Sequence, residues 1–189
     1  SLMNISMSGQ FSTHITTSIF AGFIIAFPYV FWELWRFIHP ALHTNETTIV
    51  RGIVFFSSVL FFFGVFFGYY VVAPLSVNFL GSYQVSSTVA NQISLTSFIS
   101  TVTTVSFANG IIFELPILVY FLTRIGLLTP NFMRIYRKHA MVVILILSSI
   151  ITPPDVTSQL LVSLPLIVLY EISIKISTRV IKNQEKNKE

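Results

Sequence analysis

Residues 52–72 read GIVFFSSVLFFFGVFFGYYVV, 21 positions without a charged side chain. Crossing a hydrocarbon core of about 30 Å takes about 20 predominantly apolar residues in a helix. In lipid every backbone N–H and C=O must find its partner within the protein, so a spanning run of this kind folds as α-helix. The rest of the chain obeys the same constraint. Only 10% of its 189 residues are charged, 53% are hydrophobic and 19 are Phe, against roughly 25% charged residues in soluble domains. So few charges cannot cover a soluble globule, and much of the surface must face lipid.

Five spans follow, at about 15–38, 52–72, 99–122, 139–152 and 158–174. The last two are short and need a locally thinned membrane or shielding by neighbours. Pro28 interrupts the first span, Pro116 the third and Pro165 the fifth. The connection 73–98 is rich in Ser, Thr, Asn and Gln and carries no charge, whereas 123–138 is basic. Thr129-Pro130 reads as N-cap and first residue of a short surface helix. The turn Pro153-Pro154-Asp155 places a carboxylate where it can cap the last span and complement its dipole.

All 11 Lys and Arg residues lie in or beside three segments. Arg36 and Arg51 flank the first loop. Arg124, Arg134, Arg137 and Lys138 border or occupy the third, and Lys175, Arg179, Lys182, Lys186 and Lys188 lie in the C-terminal tail. By the positive-inside rule these segments are cytoplasmic, which leaves residues 1–14, the 73–98 loop and the Pro-Pro turn outside. The net charge of +4 thus reflects topology, and no nucleic-acid partner is expected. A chain that starts outside without a signal peptide is expected to carry a further span upstream.

Several chemistries are excluded. Without cysteine there is no disulfide, thiolate metal site or thiol nucleophile. His39 and His43 stand four apart, but Pro40 between them disfavours an ordinary helical pair, and no metal or cofactor is expected. Hydrolase, kinase and phosphate-loop motifs are absent, so the chain is read as a non-enzyme. Glu114 is the residue that demands an explanation, because a carboxyl within a span is expensive and must be protonated or face a polar cavity or partner helix. Pro116, two residues on, deprives a carbonyl one turn earlier of its helical donor. Thr157, Gln159 and Ser163 form a second polar group, suited to a partner helix or to binding the bundle together. Gly64 and Gly68 form a GxxxG that marks close helix contact, within one chain or between chains. Trp35 reads as an interfacial anchor. Glu46 is the one acidic residue of the 39–51 loop, able to pair with a guanidinium in a bidentate fork.

Read in order, these residues resemble the TatC family from about Phe11 to Val180. The resemblance rests on Pro28, Leu34-Trp35-Arg36-Phe37, Pro40-Ala41-Leu42 and Phe113-Glu114-Leu115-Pro116. It continues through Gly126-Leu127-Leu128-Thr129-Pro130, Tyr136-Arg137-Lys138, Thr152-Pro153-Pro154-Asp155, Ser158-Gln159, Pro165 and Leu169-Tyr170-Glu171. It implies one all-α polytopic membrane domain over residues 1–189, whose five helices correspond to the second to sixth of a TatC-like bundle, with a basic cytoplasmic tail at 175–189. It also implies a receptor of the bacterial inner membrane that binds twin-arginine signal peptides of folded precursors. Such a receptor assembles in several copies with TatA and TatB and is driven by the proton-motive force. By position, Glu46 and Phe37 fall in the signal-peptide site. Glu114 matches the intramembrane glutamate of the concave face, Asp155 lies in the extracytoplasmic turn with Pro153 and Pro154, and Gln159, Ser163 and Thr157 lie where a partner helix docks. The chain departs from the family around Glu46, where His43-Thr44-Asn45-Glu46-Thr47-Thr48 replaces the usual Tyr and basic residues. The family's cytoplasmic N-terminal segment and first helix, part of the signal-peptide site, are also not represented.

Two other functions fit the residues less well. A proton- or ion-coupled transporter would use Glu114 as carrier, but no second central ionisable group forms a relay. A structural scaffold would use the polar residues only to join helices.

Overall fold

A computed structural model describes residues 2–4, 6–38, 47–84, 92–152 and 156–186. Among these the chain is helical almost throughout: α1 (Gly9–Ile38), α2 (Thr47–Phe67), α3 (Ala73–Ser82), α4 (Leu95–Phe113), α5 (Leu115–Arg124), α6 (Pro130–Ile135), α7 (Arg137–Ile151) and α8 (Val156–Lys186). Among the described residues, four helical stretches are long and apolar enough to cross a membrane: Gly9–Phe37, Gly52–Ser82, Leu95–Arg124 and Val156–Glu185. The remaining expected span, the fourth in the chain, is α7, whose 15 residues extend only about 22 Å at 1.5 Å per residue.

The helical boundaries differ from the sequence reading in several places: α1 starts at Gly9 and α4 at Leu95, each a few residues early, and two helices run well past their expected ends. The second span was expected to stop at Val72 and give way to loop, but it continues through the π-helical segment Gly68–Val72 into α3. Pro74, at the start of α3, lacks an N–H, and its ring would meet the carbonyl one turn back in an α-helix. The wider π turn, in which the Ala73 N–H bonds to the Gly68 carbonyl, accommodates it. Similarly, α8 does not end near Ile174 but runs to Lys186. Buried Thr123 donates to Ser177 (2.9 Å) and Gln184 donates to the Arg124 carbonyl (3.1 Å), which holds the extension against the end of α5.

Packing divides the helices into two groups. In one, α1, α2 and α4 pack against one another; in the other, α8 packs on α5 and α7. The core joining them includes Val72, Val105, Phe113, Ile144, Val162 and Leu166. The α2–α4 contact is close because glycine permits it. A Cβ on Gly64 would stand 2.8 Å from the Asn109 carbonyl oxygen, and one on Gly68 would stand 2.7 Å from Ser106 Cα. The GxxxG therefore serves contact within the chain. Before α1, Met3 bonds to the segment leading into α4, its N–H to the Ile93 carbonyl and its carbonyl to the Leu95 N–H, tying the N-terminal segment to the same end of the bundle.

The short surface helix forms as its sequence indicates: Thr129 caps α6 by accepting from the Phe132 N–H at 3.2 Å, and Pro130 opens the helix. Tyr170 of α8 donates to the Met133 carbonyl at 2.8 Å, and Arg137 pairs with Glu171. Both contacts fasten α6 and the start of α7 to α8.

Candidate functional site: an intramembrane carboxyl at a helix break

Pro116 does more than kink its span. The helix stops at Phe113 and restarts at Leu115, with Glu114 as the hinge residue between α4 and α5. Its N–H bonds to the Ile111 carbonyl in a tightened turn, and its own carbonyl accepts from Ile117 and Leu118. Pro116 occupies the first turn of α5, where its missing N–H costs nothing.

The break sets Glu114 at the wall of a cavity of about 500 Å³. Phe31, Leu34 and Trp35 line it from α1, Ile111 and Ile112 from α4, Leu115, Ile117, Leu118 and Phe121 from α5, and Leu147 from α7. Glu114 is the one charged residue type among them. One carboxyl oxygen accepts a 2.6 Å hydrogen bond from fully buried Ser57 of α2. The other, Oε1, is buried without a partner among the described residues, and so is the indole nitrogen of Trp35. Trp35 is only 3% exposed and packs beside Tyr120 and Phe121. It is thus a wall of the cavity and not the interfacial anchor that its position in sequence indicates.

The other expected site residues fall elsewhere. Phe37, at the end of α1, is 86% exposed, and Glu33 and Arg36 form a surface pair at 3.6 Å. Glu46 lies outside the described residues, as do Pro153, Pro154 and Asp155. Gln159 of α8 donates to the Leu145 carbonyl of α7 at 3.0 Å, and buried Ser163 donates to Leu160 within its own helix. Thr157 is exposed at the start of α8. Gln159 therefore joins two helices of the bundle. Ser57 was missed in the sequence, although its spacing held a signal. It precedes Gly64 by seven residues and Gly68 by eleven, which places all three on one helix face.

Residues 1–165 match the family model described as Sec-independent protein translocase protein (TatC). A TatC protein of Blattabacterium sp. subsp. Periplaneta americana is 41% identical over 97% of this chain and 69% of its own length. One of Helicobacter pylori (strain J99) is 43% identical over 88% of this chain and 66% of its own length. The chain thus spans about two thirds of these relatives. The crystal structure of the twin-arginine translocase receptor TatC in DDM superimposes with a TM-score of 0.77 at 36% identity, over 94% of this chain and 79% of that one. The chain belongs to the TatC family, a family of multi-pass membrane proteins of the Sec-independent protein translocase.

Proposed function

We propose that this protein is the receptor and core subunit of a twin-arginine translocase. In this reading it binds twin-arginine signal peptides at the cytoplasmic face, assembles in several copies with the single-span subunits TatA and TatB, and exports folded proteins on the proton-motive force. It sits in the inner membrane with its C-terminus cytoplasmic. The observation that carries the reading is the α4–α5 break, which presents Glu114 at the wall of a membrane-embedded apolar cavity between α1, α5 and α7. Such a site suits an apolar segment entering from the bilayer, since polar contact with a lone carboxyl is strong where no water competes. Exposed Phe37 lies on the face where the basic segments cluster and supports a recognition area there with Glu46.

The residues divide the work. Glu46 and Phe37 engage the signal peptide, and Glu114 engages the segment that enters the cavity. Gln159, Ser163 and Thr157 mark the end of α8 at which a partner helix docks, beside the extracytoplasmic turn of Pro153, Pro154 and Asp155. The test is site-specific crosslinking of the full-length protein, in its membrane, to a twin-arginine peptide and to its twin-lysine counterpart. An Arg fork grips a carboxylate in two places, where Lys is a point charge. Probes beside Glu46 are expected to label the twin-arginine peptide preferentially and to lose that preference in Glu46→Ala. Equal labelling of both peptides, unchanged by the substitution, sinks the recognition role.

A further inference from the structure

The site has a second member on another helix. Ser57 is fully buried in the middle of an apolar helix, and its hydroxyl is spent on neither of the usual partners. Neighbouring Ser58 bonds back to the Val54 carbonyl of its own helix at 2.8 Å. Ser57 instead reaches across the bundle and donates to Glu114 Oε2 at 2.6 Å. Two features bring the groups together. The face of α2 carrying Ser57, Phe61 and Gly64, continued by Gly68 at the start of the π-helical segment, is buried against α4, and glycine at the last two positions lets the backbones approach. Glu114 lies at the α4–α5 break, within hydrogen-bonding distance of Ser57.

We propose that Ser57 is the positioning residue for Glu114. It occupies one carboxyl oxygen, fixes the rotamer, and leaves Oε1 as the unpartnered acceptor at the cavity wall, near the unpartnered indole N–H of Trp35, for a segment entering it. The inference rests on the proposed role of Glu114 and specifies how that role is prepared. A carboxyl swinging freely among Ile112, Leu115 and Leu118 would meet an incoming donor in many geometries. One held by Ser57 meets it in one geometry, and the ordering is complete before the partner arrives. The arrangement also explains the unpartnered oxygen. A buried acceptor without a donor costs free energy, and an entering polar side chain recovers it.

The test uses the full translocase in membrane vesicles, with a photo-crosslinking residue at Leu118 to report occupancy of the cavity during export of a twin-arginine precursor. Infrared difference spectroscopy of the purified full-length protein reports the Glu114 carboxyl band, identified by its loss in Glu114→Ala. Ser57→Ala keeps a good helix former at the site. It is expected to shift the carboxyl band and to lower Leu118 crosslinking about fivefold, as for the loss of one hydrogen bond. An unshifted band, or a shifted band with undiminished crosslinking, overturns the proposal for Ser57. If Glu114→Ala itself leaves crosslinking and export intact, the role of Glu114 fails first and the positioning role falls with it. Loss in Glu114→Ala beside normal behaviour in Ser57→Ala overturns the positioning role alone.

Discussion

Single residues decide how closely α2 and α4 approach, and so whether the carboxyl site exists at all. Gly64 faces backbone, the Asn109 carbonyl oxygen, and the Cβ and ring of Phe113; neither can retreat like the tip of a flexible side chain. Gly64→Ala is therefore expected to lower stability by about 1–3 kcal/mol through overpacking. Gly52→Ala, on the same helix with nothing within 4 Å of the added Cβ, is expected to change it by no more than about 0.5 kcal/mol. Thermal unfolding of the two variants in detergent checks the contrast, and equal midpoints would refute the close-approach account. The identity of Glu114 as a costly residue is legible from its place in a span. Its hydrogen bond to a serine 57 positions away is not, because nothing local in the chain says which helix will stand opposite.

Among the helices, proline illustrates how little a local rule settles. Pro28 and Pro165 lie inside helices that continue through them, whereas the helix carrying Pro116 breaks before it. All three remove the same donor. At Pro116 the residues before the break are held by α2, with Phe113 buried against Gly64 and Glu114 bonded to Ser57. The clamp of α8 on α6 and α7 allows a quantitative ordering. Tyr170 satisfies the Met133 carbonyl in a buried bond, so Tyr170→Phe leaves an acceptor unpaired and is expected to cost about 1–3 kcal/mol. Arg137 and Glu171 are 51% and 33% exposed, so Glu171→Ala is expected to cost less, about 0–1 kcal/mol. Denaturation of both variants in the same detergent tests the order, and a larger loss for Glu171→Ala would contradict it.

For the molecule as a whole, the absence of cysteine makes topology directly measurable. Tyr83→Cys, beyond α3, and Asn183→Cys, near the end of α8, are both at exposed positions. In intact cells a membrane-impermeant thiol reagent is expected to label the first and not the second. The reverse pattern would invert the positive-inside assignment. That the chain is an all-helical membrane protein follows from the amino-acid order alone. Long uncharged runs have one way to hydrogen-bond their backbones in lipid, and that requirement acts locally, without reference to any other part of the chain. Thr129-Pro130 as a helix start is equally local. The continuation of the second span through a π turn and the extension of α8 along α5 depend instead on contacts between distant segments. So do the burial of Trp35 and the pairing of Ser57 with Glu114. An apolar helix face fits many neighbours, and in lipid close packing, not hydrophobicity, selects among them. Only the assembled bundle, with Gly64 and Gly68 set against α4, brings the two halves of the carboxyl site within hydrogen-bonding distance.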